Sequence, residues 1–260
     1  MQPNSLRTRS VSFAFLFGPP RLITRDEASQ AHGRVCDRLK LDDLSFQYNS
    51  SEPAPKPSSR SFAIVMHRQE GRGIFRLSID HPGAGYPMRL LLEFVWPPSD
   101  VHVDERFDDA CAAVFEGGLE GKWQRVMAEA RLRAQCDLQT GGSIAFLNSE
   151  ISRFSTIAEN TLGKPLSFVT LGLHVTPATQ TDEPLNDPGR ELTIEVLRED
   201  SKALYLELVS KWTQVPIGAS PVELNRIRPI TAKPSEYIEE SRTALRNWVS
   251  GIAGNGRDSK

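Results

Sequence analysis

The sequence predicts an α+β protein made of two pseudo-repeated β-α-β4-α halves with antiparallel sheets. Three observations predict it. Residues 61–79, SFAIVMHRQEGRGIFRLSI, and residues 191–209, ELTIEVLREDSKALYLELV, each read as two strand-forming runs around a polar turn. The two segments align without a gap: Phe62 falls on Leu192, Ile64 on Ile194, Arg68 on Arg198, Ile74 on Leu204 and Phe75 on Tyr205. The elements around them follow one order, and Pro87 and Pro221 are separated by the same interval as Ala110 and Ala244.

In the first half, residues 1–118, the apolar run Phe13-Ala14-Phe15-Leu16-Phe17 is read as a strand at about 11–17. It follows Arg7 and Arg9, but it is short for a secretory apolar region and no small-residue cleavage site follows. Its alternation is blurred, as in a strand buried on both faces. A helix is expected at about 25–40. Thr24 caps it, Glu27 completes a capping box, and Ala28, Ala31, Val35 and Leu39 recur at helical spacing. Next come a short strand at 44–48, a proline-rich loop at 49–59, the hairpin at 61–80 and a turn at 80–87. A strand at 88–96 is stopped by Pro97-Pro98. A helix starting near Asp104 carries Phe107, Ala110, Cys111, Val114 and Phe115 on its apolar face.

Residues 119–138 are expected to form an amphipathic helix within a connector, 119–142, that ends at Gly141-Gly142. Trp123, Val126, Met127, Ala130 and Ala134 lie on one side of it, and Lys122, Arg125, Arg131 and Arg133 enrich the remainder. In the second half, 143–250, a strand at 143–147 precedes a helix at about 149–162, a strand at 166–176 and a polar loop at 177–190. The second hairpin, a strand at about 222–228 and a helix at about 235–249 follow, and residues 251–260 read as a mobile tail.

Four consecutive strands with short links pair antiparallel, because parallel neighbours need long crossovers. Helices then cover one sheet face. By element order alone this layout resembles the β-α-β4-α topology of the TATA-binding-protein-like folds, which include a duplicated saddle and single-copy helix-grip ligand-binding proteins. No family motif accompanies the resemblance, so it carries over no functional residue.

Composition narrows the functional classes. The 260 residues hold 31 Lys and Arg against 33 Asp and Glu, a net charge of −2. That balance disfavours nucleic acid, which calls for a basic footprint. The 3 cysteines, Cys36, Cys111 and Cys136, are too scattered for a disulfide framework or a zinc ligand pair and read as reduced, buried thiols. No segment approaches the roughly 20 apolar residues of a membrane span, so a cytoplasmic protein without a membrane partner is expected.

Chemistry-bearing motifs are sparse. The chain has no GxSxG, HExxH, Walker loop or strand-linked GxGxxG, and Gly83-Ala84-Gly85 reads as a turn. His81 beside Asp80, and His102 near Asp104, lack a nucleophile and a third orienting group and read as surface histidines. Asp108-Asp109 and Asp182-Glu183 read as solvated charge. No catalytic residue, metal or cofactor is assigned. The reading leans away from an enzyme, while a site assembled only in three dimensions stays open.

Two surfaces are candidates for binding. One is the basic helix with Lys122, Arg125, Arg131 and Arg133. The other is the second sheet face, with Glu191, Thr193, Glu195, Tyr205 and Glu207 in one half and the more apolar Ala63, Val65 and Leu91 in the other. An apolar sheet face has to be covered, by the connector helix, the other half, a second copy or another protein. The carboxylates would repel a phosphate backbone, which disfavours a DNA-straddling saddle. The expected function is therefore a non-enzymatic protein-binding or assembly protein acting through sheet faces or edges, with another protein or a second copy as partner. Alternatives are a small-molecule sensor or carrier, its pocket lined by Phe94, Trp96, Phe107, Phe115 and Trp123, and nucleic-acid binding through the basic helix.

Overall fold

The computed structural model describes residues 3–51, 61–81, 87–116, 119, 123–138, 142–150, 170–175, 188–197, 199–213 and 232–255. In chain order these form β1 (Pro3–Gly18), α1 (Arg25–Leu39), β2 (Ser45–Ser51), β3 (Ser61–Glu70), β4 (Gly73–His81), β5 (Met88–Val95) and α2 (Val103–Phe115). They continue with β6 (Gln124–Leu138), α3 (Ser143–Glu150), β7 (Thr170–Val175), β8 (Gly189–Val196), β9 (Ala203–Thr213) and α4 (Pro234–Asn255). The fold is α+β. Among the described residues 9 strands make one antiparallel sheet in the order β2-β3-β4-β5-β1-β6-β9-β8-β7.

The expected connector helix is a strand, and it lies at the centre of the sheet. β6 pairs with β1 on one side and β9 on the other. Val126, Ala130 and Ala134 are four apart, so they share a face under both the helical and the strand period. The residues that tell the two apart are Ala128, Leu132 and Cys136. A helix would turn them away, yet all three are buried beside the others. Strict alternation of apolar and polar residues from Ala128 to Leu138 outweighs the high helix propensity of Ala, Glu, Arg, Leu and Gln.

The small residues of β6 make room for the core. Phe13 and Phe15 of β1 lie opposite Ala130 and Ala128, and Ala128 is flanked on its other side by Trp212 of β9. Tyr237 of α4 fills the space above. Its ring lies 5.7 Å from Phe13, 6.3 Å from Phe15 and 4.7 Å from Trp212. Phe107 of α2 meets Phe75 of β4, and Phe115 meets Phe15 and Phe17. The helices thus lie on the side of the sheet that buries Phe62, Ile64, Phe75, Leu77, Leu90, Leu92, Leu206 and Leu208.

Acidic residues of α2 tie the helix layer together. Asp108 accepts the Ser235 backbone N–H at 2.9 Å and its hydroxyl at 2.6 Å, in the first turn of α4. Arg242 of α4 grips Asp104, with Nη2–Oδ1 at 2.7 Å, and Arg38 of α1 donates to Asp109 at 2.9 Å. Asp108 is therefore an interhelical clasp rather than the solvated charge expected, whereas Asp109 stays at the surface in its pair with Arg38. α1 follows its prediction. The Glu27 N–H donates to Thr24 Oγ1 at 3.3 Å, and the Thr24 N–H donates back to Glu27 Oε2 at 2.8 Å.

Two further expectations change. Residues 143–147 open α3 instead of forming a strand. Neighbours Phe146 and Leu147 are both buried, and the Phe146 N–H donates to the Gly142 carbonyl four residues back at 3.0 Å, the bond of a helical turn. α4 continues to Asn255, into the stretch read as a tail. The rest of the predicted helix at 149–162 beyond Glu150, the strand at 222–228, and most of the loops at 49–59, 80–87 and 177–190 lie outside the described residues.

The two hairpins differ in register. Glu70 pairs with Gly73 around a two-residue turn, whereas Val196 pairs with Leu204 across a longer connection. Phe75 consequently lies on the helix side while Tyr205, its gapless counterpart, lies on the other. The hairpins also sit differently in the sheet: β5 separates β4 from β1, but β9 pairs directly with β6. Among the described residues no helix is long and apolar enough to cross a membrane.

Gly71 has φ +61° at the first central position of the β3–β4 turn, where a II′ hairpin places glycine. A Cβ on the neighbouring Gly73 would stand 2.2 Å from the Trp96 carbonyl oxygen. Because backbone cannot retreat as a side chain can, Gly73→Ala is expected to cost about 1–3 kcal/mol, in the range of overpacked sites. Urea unfolding of the two proteins measures it, and equal midpoints would refute the contact.

Candidate functional site

With the helices on one side, the opposite side of the sheet is bare of helices among the described residues. Strand pairing organises it into rows. Arg76, Glu93, Ser12, Arg131, Val209 and Glu191 follow one another across β4, β5, β1, β6, β9 and β8. The two rows beside it place Leu91-Ala14-Glu129 and Arg89-Leu16-Met127 across β5, β1 and β6. Here the three central strands line a cavity of about 350 Å³. Ala14, Leu16, Leu91 and Met127 form its apolar floor, and Arg89, Glu93, Glu129, Arg131 and Arg133 stand around it.

The rim charges are largely paired. Glu207 Oε2 accepts from Arg133 Nε at 2.8 Å and from the Tyr205 hydroxyl at 2.9 Å, and its other oxygen lies 3.6 Å from Arg131. Arg131 also donates to Glu129 at 3.3 Å, and Arg89 binds Asp80 at 2.9 and 3.2 Å. Burial pushes the Glu207 carboxyl up, but the Arg133 and Tyr205 hydrogen bonds and the two guanidinium charges outweigh it and hold the group below its ordinary 4.5. Burial, then the bond to Glu207, pushes the Tyr205 phenol up to about 12.

The structure joins residues that the sequence assigns to separate surfaces. Arg131 and Arg133, expected on a helix, share one network with Glu207 and Tyr205, expected on a sheet face. Glu191 and Glu195 lie further out on the same face. Glu191 is 3.3 Å from Lys211 and 3.5 Å from His174, and Glu195 accepts from Thr170 at 3.5 Å. Arg125 leaves the group. The register slips between Leu16 and Phe17, which sets Arg125 opposite Phe17 on the helix side. Its guanidinium lies 4.8 Å from the ring centres of both Phe15 and Phe115. Lys122 lies outside the described residues.

The cavity floor is largely missing from the sequence reading. Leu91 is its one residue read there as part of the apolar face, and Met127 is assigned to a helix. The signal for the rest is the set of even positions Ser12, Ala14 and Leu16, small or apolar residues on the side of β1 away from the helices. The aromatic residues expected in a ligand pocket do not meet in one. Phe94 and Phe107 are fully buried core residues, Trp123 packs on Phe17, and Trp96 is 48% exposed beneath the Arg9 guanidinium.

Among the described residues two nucleophile–imidazole contacts occur away from this cavity. Ser45 Oγ is 2.7 Å from His67 Nδ1, but the hydroxyl donates to the His67 carbonyl at 2.8 Å. In that arrangement Nδ1 is the donor to the serine oxygen. His32 Nε2 donates to the Leu44 carbonyl at 2.7 Å and so is no base for Cys36 Sγ, 3.4 Å away. Burial and then three nearby aspartates push that thiol up. Asp80 is turned to Arg89, and the exposed His102 lies 3.9 Å from Glu105. Among the described residues no three His, Cys, Asp or Glu side chains converge to hold a metal ion.

A comparison with protein-family models finds no match to this chain, and a comparison with curated proteins finds none either.

Glu207 has a definite acid signature. Its folded pKa lies below its unfolded value, so its stabilisation is fully present above about pH 4.5 and is lost as pH falls through the folded value. Glu207→Gln is expected to flatten the decline of stability between about pH 5 and 3. Urea midpoints across that range read the difference; parallel curves would show that the carboxylate is not held by the arginines.

Proposed function

We propose that this chain is a non-enzymatic binding protein that recognises another protein through its open sheet face. The apolar floor of Ala14, Leu16, Leu91 and Met127 carries the reading, set as it is on the helix-free side of the three central strands. An apolar centre ringed by paired charges of both signs is the anatomy of a protein interface. A phosphate-binding track would instead need unpaired cations. Arg131 and Arg133 already have carboxylate partners, so a nucleic acid would have to displace Glu129 and Glu207. We also read the two wings of the sheet as related halves meeting at β1 and β6. Each of these strands leads into a helix and an antiparallel wing, which lets both wings contribute to one surface.

A few central anchors dominate most interfaces. Leu91→Arg should therefore weaken binding about tenfold or more while the melting temperature stays unchanged. The comparison is made by calorimetric titration of proteins captured with the native chain. A variant that binds every such protein as tightly as the native chain would rule out the open face.

A further inference from the structure

We propose that β7 is a dimerisation edge, pairing antiparallel with β7 of a second copy about a two-fold axis at Gly172. Among the described residues the two end strands of the sheet differ in what covers their helix-side face. At one end α1 packs on β2, the Tyr48 hydroxyl donates to the Ile23 carbonyl at 2.8 Å, and Phe46 lies against His32 with ring centres 5.2 Å apart. At the other end β7 pairs with β8 from Thr170 to Val175, and among the described residues no helix or strand packs on its outer side.

An unpaired edge is ordinarily blunted by Lys, Pro, inward charge or a bulge. β7 reads TLGLHV, with none of those residues, and its register with β8 is unbroken. Thr170, Gly172, Leu173 and His174 are exposed, Leu173 at 41%.

The strand is self-complementary. Pairing about Gly172 sets Leu171 opposite the second copy's Leu173, twice, on the helix side. On the open side Thr170 meets the second copy's His174, twice. No like charges oppose, since Glu191 and Glu195 lie one strand further in. The central position brings Gly172 to its own copy, where even an added Cβ meets nothing within 4 Å in the single chain. A slip of one residue would set leucine against glycine and turn the two helix layers to opposite sides. This match between the strand and itself selects a second copy over an unrelated strand. A two-fold axis also closes the assembly, so it stops at two. The two sheets become one continuous surface, whether or not the open face recognises another protein.

Light scattering on the full-length chain over micromolar concentrations should give twice the single-chain 29.0 kDa. Leu173→Lys should return it to one chain without loss of fold by circular dichroism. With Cys36→Ser to silence the half-buried thiol, Gly172→Cys should form an intermolecular disulfide on mild oxidation. Thr170→Cys, which faces position 174 of the other copy, should not. A single-chain mass without cross-linking would overturn the proposal, as would equal cross-linking from positions 170 and 172. So would a dimer that survives Leu173→Lys. If that dimer falls apart with Leu91→Arg, the contact belongs to the open face.

Discussion

The pairing of β1 with β6 is the constraint on which the rest of the molecule depends. It runs almost the full length of both strands and turns two wings into one sheet. β5 attaches through β1, β9 attaches through β6, and α4 packs across β1, β6 and β9. The ladder shifts register at three places, between Pro3 and Ser5, Thr8 and Ser10, and Leu16 and Phe17. Such shifts bend a strand and re-aim its side chains. The last of them lies beside the floor residues Leu16 and Met127 and delivers Arg125 to the opposite side of the sheet.

How much of this was legible in the sequence depends on whether a residue's local pattern agrees with its neighbours' needs. Thr24 and Glu27 announce α1 because a capping box is satisfied within one turn. The hairpins and the Phe107–Phe115 stripe are legible for the same reason. β6 is harder. Its alanines raise helix propensity, yet they are there because Phe13, Phe15, Trp212 and Tyr237 crowd the same space. That requirement comes from segments distant in the chain, and no local window contains it. α3 is obscured by its brevity, since a short apolar run does not distinguish adjacent from alternating burial.

The site suffers from the same problem. Glu207 and Tyr205 can be placed on a strand from their own alternation. Only the β6–β9 register reveals that Arg133 stands opposite Glu207, and only the β1 ladder brings Leu16 beside Met127. Asp108 and Asp109 are similar. Adjacent acids on a helix usually face solvent, but Ser235 and Arg38 arrive from elsewhere in the chain to engage them. Charge counted along the sequence is near balance, and in the fold that balance is realised as specific pairs.

The aromatic side of β1 also governs how the chain must be made. Phe13, Phe15 and Phe17 are synthesised early, whereas Ala128 and Ala130 come much later and Tyr237 later still. Until then this greasy ridge is only partly covered, by Phe115 of α2 against Phe15 and Phe17, and its backbone flank toward β6 has no partner strand. Contacts of such long reach form slowly, and waiting surfaces of this kind are what holding chaperones engage. Cover over Phe13 and Trp212 is therefore completed only when α4 settles over the centre.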